Sequence, residues 1–296
     1  STSDSEGGSA NSARRIHNNL IKNGISSNLF VGNKKLNDKN STYFSKYKQL
    51  RKIDNLMDRL TNKIGFQYQF IPSNLFLNER IKNSNIIQLY NLHGGYFQVS
   101  TLNKLSKISQ LIWRFSDYWP LTGHCAYPKD CQKWESGCYE CPDLKLYPSI
   151  GYDRTRVLWK EKQKIIKNMN ITVVVPTKKM SNEVKKSEIF SKKKIIQIPN
   201  GIDTKIYKSF EKIEARKKLK IKNIFTILFI AHVAYDNPRK GTDYINRIAS
   251  LIKGMNDIQL LIVGLNSKKW KKLGNENIIA IDFVRNNKKK NIIYNA

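Results

Sequence analysis

This sequence has no long apolar run, comparatively few acidic residues, and no cysteine outside one short segment. Nowhere do about 18 apolar residues follow one another, so no segment is expected to span a membrane. The start carries no signal-peptide pattern, and all four cysteines lie between Cys125 and Cys141. We therefore expect a protein of the reducing cytoplasm.

Acidic residues are outnumbered by basic ones, 23 to 53, which gives a formal net charge of +30. The lysines are scattered along the chain, a pattern typical of a solvated surface in a Lys-, Asn- and Ile-rich composition. An affinity for anionic partners is the other interpretation, with peripheral contact at the inner face of the plasma membrane as its main form. No compact basic stripe with interleaved aromatic residues is visible, so nucleic acid is not an expected partner.

The hydrophobic pattern predicts an α/β protein with two Rossmann-like domains. Periodic apolar positions predict helices over 10–23, 45–64 and 241–253. Short apolar runs predict buried strands, and their alternation with helices indicates parallel sheets covered on both faces. The predicted strands are 28–32, 86–90, 111–113, 171–175, 195–198, 225–230, 259–264 and 278–281. The turn Ile198-Pro199-Asn200-Gly201 divides the chain into predicted domains 1–198 and 199–296.

Two segments have features of phosphate sites. Gly7 and Gly8 lead directly into the first predicted helix, whose free N–H groups favour an anion. Arg239 and Lys240 precede the helix predicted at 241, where two cations beside a helix N-terminus suit a diphosphate. A flexible turn and a basic surface turn are the alternative interpretations.

Polar and aromatic residues follow two of the predicted strands, at the strand ends where open α/β sheets carry their active sites. His93 is a candidate general base or sugar contact, and Asp117 is a candidate acceptor of hydrogen bonds from sugar hydroxyls. Trp113 and Trp119 either stack on a sugar or belong to the core.

The cysteines Cys125, Cys131, Cys138 and Cys141 fall in a segment, 120–145, that we interpret as an insertion in the first domain. Four thiolates can surround one tetrahedral ion, and the C-x-x-C end is a usual zinc spacing, with His124 as a substitute ligand. Two disulfides, an iron–sulfur cluster and four unligated core cysteines are the alternatives. A zinc ion held by four thiolates has no open position, so its role would be structural.

The order of these motifs resembles family 4 of the retaining glycosyltransferases, in its bacterial capsule, exopolysaccharide and lipopolysaccharide branch. The matching segments are Gly7-Gly8-Ser9-Ala10, Asn91-Leu92-His93-Gly94-Gly95, 116–125, Cys138-Tyr139-Glu140-Cys141-Pro142, Val175-Pro176-Thr177, 198–203 and Arg239-Lys240-Gly241. The resemblance implies the B-type glycosyltransferase fold, with an acceptor domain followed by a domain for the nucleotide sugar.

The resemblance also implies roles for single residues. Lys240, with Arg239, would stabilise the leaving diphosphate, so that catalysis needs no metal. Gly8, beside Gly7, would lie under the distal phosphate of the donor, and Asp117 and His93 would face the sugar or the acceptor. The implied donor is a UDP-, GDP- or ADP-sugar, and the implied acceptor is a glycan or a polyprenyl-diphosphate-linked sugar.

The sequence departs from the family pattern at several points. Ser116 stands where many relatives have a histidine, and the region Ala231-His232-Val233 replaces a frequent arginine. The usual pair of glutamates eight residues apart is absent, as is a strand before Gly7. We therefore expect a chain cut at both ends, with an incomplete second domain and no turnover by itself. A non-catalytic sugar-nucleotide-binding relative and a basic zinc-bearing nucleic-acid-binding protein are the alternative functions.

Overall fold

A computed structural model describes residues 1–5, 7–37, 39 and 41–296. The chain divides into two compact units, Ser1–Asn200 and Gly201–Ala296. Each unit is a mixed α/β structure built on parallel strands, which confirms the predicted fold class.

The first unit alternates helices and strands along most of its length. Its helices are α1 (Gly7–Lys22), α2 (Arg51–Lys63), α3 (Glu79–Lys82), α4 (Thr101–Leu105), α5 (Thr155–Lys167) and α6 (Lys178–Lys186). Its strands are β1 (Leu29–Val31), β2 (Ser41–Tyr43), β3 (Ile86–Leu89), β4 (Gln110–Arg114), β5 (Ile171–Val175) and β6 (Lys194–Gln197). None of the helices in the described part of the chain is long and apolar enough to cross a bilayer.

The larger sheet of this unit has the strand order β3-β4-β5-β6, with every neighbouring pair parallel. Strands β1 and β2 form a separate parallel pair. Because β3 and β4 run in register, with Leu89 opposite Trp113, their carboxyl ends meet at one edge. The segments that follow these two strands are therefore brought together.

Aromatic side chains fill the core beneath the central strands. Trp113 and Phe115 both lie on Phe190, with ring centroids 5.8 and 5.0 Å apart, and all three rings are buried. Aromatic pairs of this edge-to-face kind stabilise a core beyond the area that they bury. The core thereby holds the end of β4 in a fixed position.

Helix α2 forms where the periodicity of residues 45–64 predicts a helix, although it begins later, at Arg51. Its orientation is opposite to the usual one for a surface helix. All of α2 is described, and its buried residue is Asp54, whereas Ile53 and Leu60 are about half exposed. The apolar face of α2 therefore faces away from the core of its own unit.

The second unit contains a three-stranded parallel sheet of order β7-β8-β9. Its elements are α7 (Lys212–Leu219), β7 (Phe225–Val233), α8 (Thr242–Leu251), β8 (Ile258–Leu265), β9 (Ile278–Ile281) and α9 (Asn287–Tyr294). Leu260 and Ile262 of β8 pack with Trp270, and the alternate residues Leu261 and Val263 pack with Ile293. Since both faces of β8 are buried, the strand has the continuous apolar sequence of a covered parallel sheet.

Candidate functional site

The structure brings His93 and Asp117 into direct contact. His93 follows β3 and Asp117 follows β4, and the His93 Nε2 to Asp117 Oδ2 distance is 2.9 Å. The same oxygen accepts a 2.9 Å hydrogen bond from Asn91 Nδ2, while Oδ1 accepts one from the backbone N–H of Trp119. Both oxygens of this carboxylate are therefore held in a fixed orientation, and its side chain stays 19% exposed.

The second ring nitrogen of His93 also has a partner. Its Nδ1 lies 3.3 Å from the hydroxyl of Tyr147, and the two rings meet edge to face. We assign the proton to Nε2, because the nearer of its two partners is the Asp117 carboxylate oxygen at 2.9 Å, which can only accept, while Asn91 Nδ2 lies at 3.2 Å; Nδ1 then accepts from the Tyr147 hydroxyl. Since both nitrogens are engaged, His93 orients Asp117 in this arrangement, and Asp117 is the group left partly open to a ligand.

The start of α1 adjoins this pair. Ser9 Oγ donates a 3.0 Å hydrogen bond to Asn91 Oδ1, and Ser116 Oγ donates a 3.2 Å bond to Ser9 Oγ. Gly7 and Gly8 form the first turn of the helix, and a Cβ added at Gly8 would meet no atom within 4 Å. The free N–H groups of a helix start thus lie beside open space near the carboxylate, an arrangement suited to a phosphate.

The loop after His93 depends on glycine. Gly94 has a φ of +107°, and a Cβ there would lie 2.6 Å from Thr2 Cγ2. Thr2 cannot move away freely, because its hydroxyl is within hydrogen-bonding distance of the carbonyl oxygens of Asn91 and His93. The Gly94 conformation therefore sets where His93 lies.

Trp113 and Trp119 are core residues. Each is only 1% exposed. The Trp113 indole donates to the Tyr90 carbonyl, and the Trp119 indole donates to Gln67 Oε1. Neither presents a ring face to a sugar, so the core interpretation of both residues is the one that the structure favours.

Lys162, which sequence reasoning missed, supports the segment after Asp117. Its ammonium donates to the carbonyl oxygens of Trp119 and Thr122 at 2.7 and 2.9 Å, and lies 3.7 Å from the Trp119 ring centroid. Burial lowers the pKa of Lys162 to about 7. A lysine on an amphipathic helix is normally read as exposed, so only the tertiary structure identifies this contact.

All four cysteines carry free thiols, and they line one small cavity of about 20 Å³ together with His124. A space of this size holds roughly one water-sized particle. Cys138 Sγ accepts from the Gly123 N–H at 3.1 Å, and Cys141 Sγ lies 3.3 Å from His124 Nε2. In this side-chain conformation, no three potential ligands among the described residues converge at metal-binding spacing. The donor set and the cavity suit one zinc ion, and the zinc site stays a prediction.

Arg239 and Lys240 belong to the second unit. They lie exposed in the 3₁₀ turn Pro238–Lys240, immediately before α8. Gly241, with a φ of +80°, joins this turn to the helix. Both cations therefore stand at a helix start, as the sequence predicts, and their role toward a diphosphate stays a prediction.

No protein-family model matches the chain. A curated relative, the glycosyl transferase WcaC assigned to colanic acid biosynthesis in Escherichia coli K12, is 26% identical over 179 residues. The match covers 55% of this chain and 44% of the relative, so the chain spans less than half the length of that protein.

Among solved structures, the chain is similar to sucrose-phosphate synthase from Thermosynechococcus elongatus. The TM-score is 0.58 at 12% identity, and the match covers 99% of this chain and 69% of the synthase. At this identity the likeness concerns the fold alone, and it agrees with the Rossmann-like α/β structure of each unit.

Proposed function

We propose that the chain is part of a glycosyltransferase that moves a sugar from a nucleotide-sugar donor to a glycan or a polyprenyl-diphosphate-linked acceptor. The transfer retains the anomeric configuration and serves the synthesis of bacterial surface polysaccharide. The WcaC relative supports the polysaccharide assignment, and the B-type fold supports the use of a nucleotide sugar.

One observation carries this proposal. A partly exposed carboxylate, Asp117, is fixed by three hydrogen-bonding groups at the carboxyl edge of a parallel sheet, next to the start of α1. Ligands of open α/β sheets bind at this edge. The arrangement offers an acceptor for sugar hydroxyls and N–H donors for a phosphate within one network.

The proposed roles follow from charge and position. Asp117 accepts hydrogen bonds from the transferred sugar or the acceptor, and His93 orients it. The N–H groups at Gly7 and Gly8 bind the distal phosphate of the donor. Lys240 and Arg239 stabilise the negative charge that develops on the leaving diphosphate, so the transfer requires no metal cofactor.

The test is a transfer assay on the full-length gene product. The donor is found first, by a thermal-shift screen of UDP-, GDP- and ADP-sugars. Asp117→Asn keeps the size of the side chain and removes its charge, and we expect turnover to fall by about 10²-fold or more. Lys240→Ala should lower turnover by about 10²-fold as well, because charge stabilisation of the leaving group is lost.

Matched controls remove the same kind of charge elsewhere. Asp130→Asn and Lys253→Ala change exposed residues outside the site and should leave turnover unaltered. Unchanged rates for Asp117→Asn and Lys240→Ala would contradict the assigned roles. Donor binding without any turnover would indicate the non-catalytic alternative instead.

A further inference from the structure

Helix α2 directs a polar face toward its own unit. Asp54 is fully buried and accepts a hydrogen bond from the backbone N–H of Ser73. Arg51 donates to Asp54 and to the carbonyl of Gly95. Burial raises the pKa of Asp58, which also points inward. A helix that only covers a core would place apolar side chains on this face.

The opposite face of α2 is apolar and exposed. Its large side chains share spacings of three and four residues and so form one stripe. Their exposed fractions are 47% for Ile53, 56% for Leu56, 50% for Leu60 and 59% for Ile64, which follows the helix end. An apolar stripe on a helix face exposed to water is energetically unfavourable unless another surface covers it.

Cations line one side of this stripe. Lys52, Arg59 and Lys63 are all exposed. At about 100° per residue, they fall together on the flank next to Leu56. An exposed apolar stripe bordered by lysine and arginine is the arrangement of helices that lie in the interface of a lipid bilayer.

We propose that α2 docks this chain on the surface of an anionic phospholipid bilayer. We define the α2 face as Ile53, Leu56, Leu60 and Ile64 with the flanking Lys52, Arg59 and Lys63. The apolar side chains enter the boundary between headgroups and acyl chains, and the cations contact lipid phosphates. The net charge of +30 favours this occupant over a second copy of the chain, which it would repel.

Docking through α2 has a consequence for the site. The inner side of α2 touches the loop that carries His93, since Arg51 donates to Gly95 and a Cβ on Gly95 would lie 2.9 Å from Asp58. Resting on the proposed function, this arrangement brings the His93–Asp117 pair close to the membrane plane, where a polyprenyl-diphosphate-linked acceptor is held.

The test is flotation of the chain with unilamellar vesicles, without donor or acceptor, so its outcome does not depend on activity. Vesicles contain phosphatidylcholine alone or with about one-third phosphatidylglycerol. We expect binding to the anionic vesicles that weakens with salt, because headgroup attraction is screened. The variant Leu56→Gln/Leu60→Gln should bind at least tenfold more weakly, with an unchanged Tm because both residues are exposed.

A second variant tests the cations. Lys52→Gln/Arg59→Gln/Lys63→Gln should also lose at least tenfold in partitioning. Its control, Lys253→Gln/Lys271→Gln/Lys272→Gln, removes the same charge from exposed positions in the second unit and should bind like the unaltered chain. The apolar control is Leu251→Gln/Met255→Gln, which changes exposed residues of that unit.

Three outcomes would overturn the proposal. Equal binding to neutral and anionic vesicles would show that charge does not contribute to binding. If the control variants lost as much vesicle binding as the α2 variants, the binding could not be assigned to α2. Sedimentation velocity tests whether a second copy of the chain covers the α2 face instead. If the chain is a dimer in solution and Leu56→Gln/Leu60→Gln makes it a monomer, a second copy is the occupant. Vesicle binding by the chain, combined with a full-length gene product that transfers no sugar, would contradict the proposed function and leave the docking surface intact.

Discussion

The His93 loop shows how a single backbone conformation can set a site. Gly94 adopts a φ of +107°, a region that side chains with a Cβ rarely enter. Its neighbour His93 has its carbonyl oxygen held by the hydroxyl of Thr2. The pair formed by His93 and Asp117 thus depends on a residue that takes no part in the chemistry.

We therefore expect Gly94→Ala to destabilise the first unit. The strained φ costs about 1–2 kcal/mol, and the close approach to Thr2 adds about 1–3 kcal/mol. Gly254→Ala is the matched control, because Gly254 also has a positive φ, +79°, but has open space around it. Denaturant unfolding measures the free energy of unfolding of both variants. Equal losses of stability would show that Thr2 can shift away from the added Cβ without an energetic penalty.

At the residue scale, sequence patterns located the candidate side chains and missed their partners. His93 and Asp117 could be predicted because each follows a recognisable apolar strand. Tyr147 could not, since it lies 54 residues from His93 in the sequence and contacts it only in the folded chain. Lys162 was missed for a similar reason, because its burial depends on the packing of α5 against the Trp119 segment.

At the scale of elements, α2 and the cysteine-rich segment show what sequence patterns can and cannot predict. For α2, periodicity predicted a helix and was correct, but an amphipathic pattern does not say which face turns inward. Polar partners such as the backbone N–H of Ser73 decide that, and they lie elsewhere in the sequence. For the cysteines, spacing predicted a shared location, and all four line one cavity.

We expect the purified chain to hold one structural zinc ion in that cavity. Four thiolates give a closed tetrahedral site, so metal binding should stabilise the segment. Elemental analysis should find about one zinc per chain, and a chelator should lower the Tm. Cys138→Ala should abolish both effects, whereas Ser136→Ala, an exposed neighbour, should preserve them. Zinc-free protein with a chelator-insensitive Tm would favour unligated core cysteines.

At the scale of the whole molecule, each unit has its own core. The large cluster around Trp113 and Phe190 belongs to the first unit, and the clusters on the two faces of β8 belong to the second. Continuous apolar strands made this α/β organisation visible in the sequence. The side-chain contacts at the connection were not visible, among them the hydrogen bonds from Arg114 to the carbonyls of Ile198 and Pro199.

These contacts predict where a protease first cuts the chain. Residues 196–205 are all exposed, and the hydrogen bonds from Arg114 reach only residues 198–200 in the first half of this stretch. Farther on, the carbonyl of Lys208 accepts hydrogen bonds from Asn291 and Asn295. Lys205 therefore stands between two anchored points, in the kind of exposed connection that proteases prefer.

Limited trypsin digestion should accordingly cleave first after Lys205, although the chain offers 53 basic residues. The expected products are 1–205 and 206–296, identified by intact mass, and both should resist further digestion for longer than the parent chain survives. Each unit keeps its core after that cut, and a folded core protects its backbone from cleavage. Lys205→Gln should delay the first cut, while Lys253→Gln, at an exposed position after α8, should not. An earlier cut inside either unit would mean that its local stability is lower than that of the connection, and that the separate cores do not act as separate protected bodies.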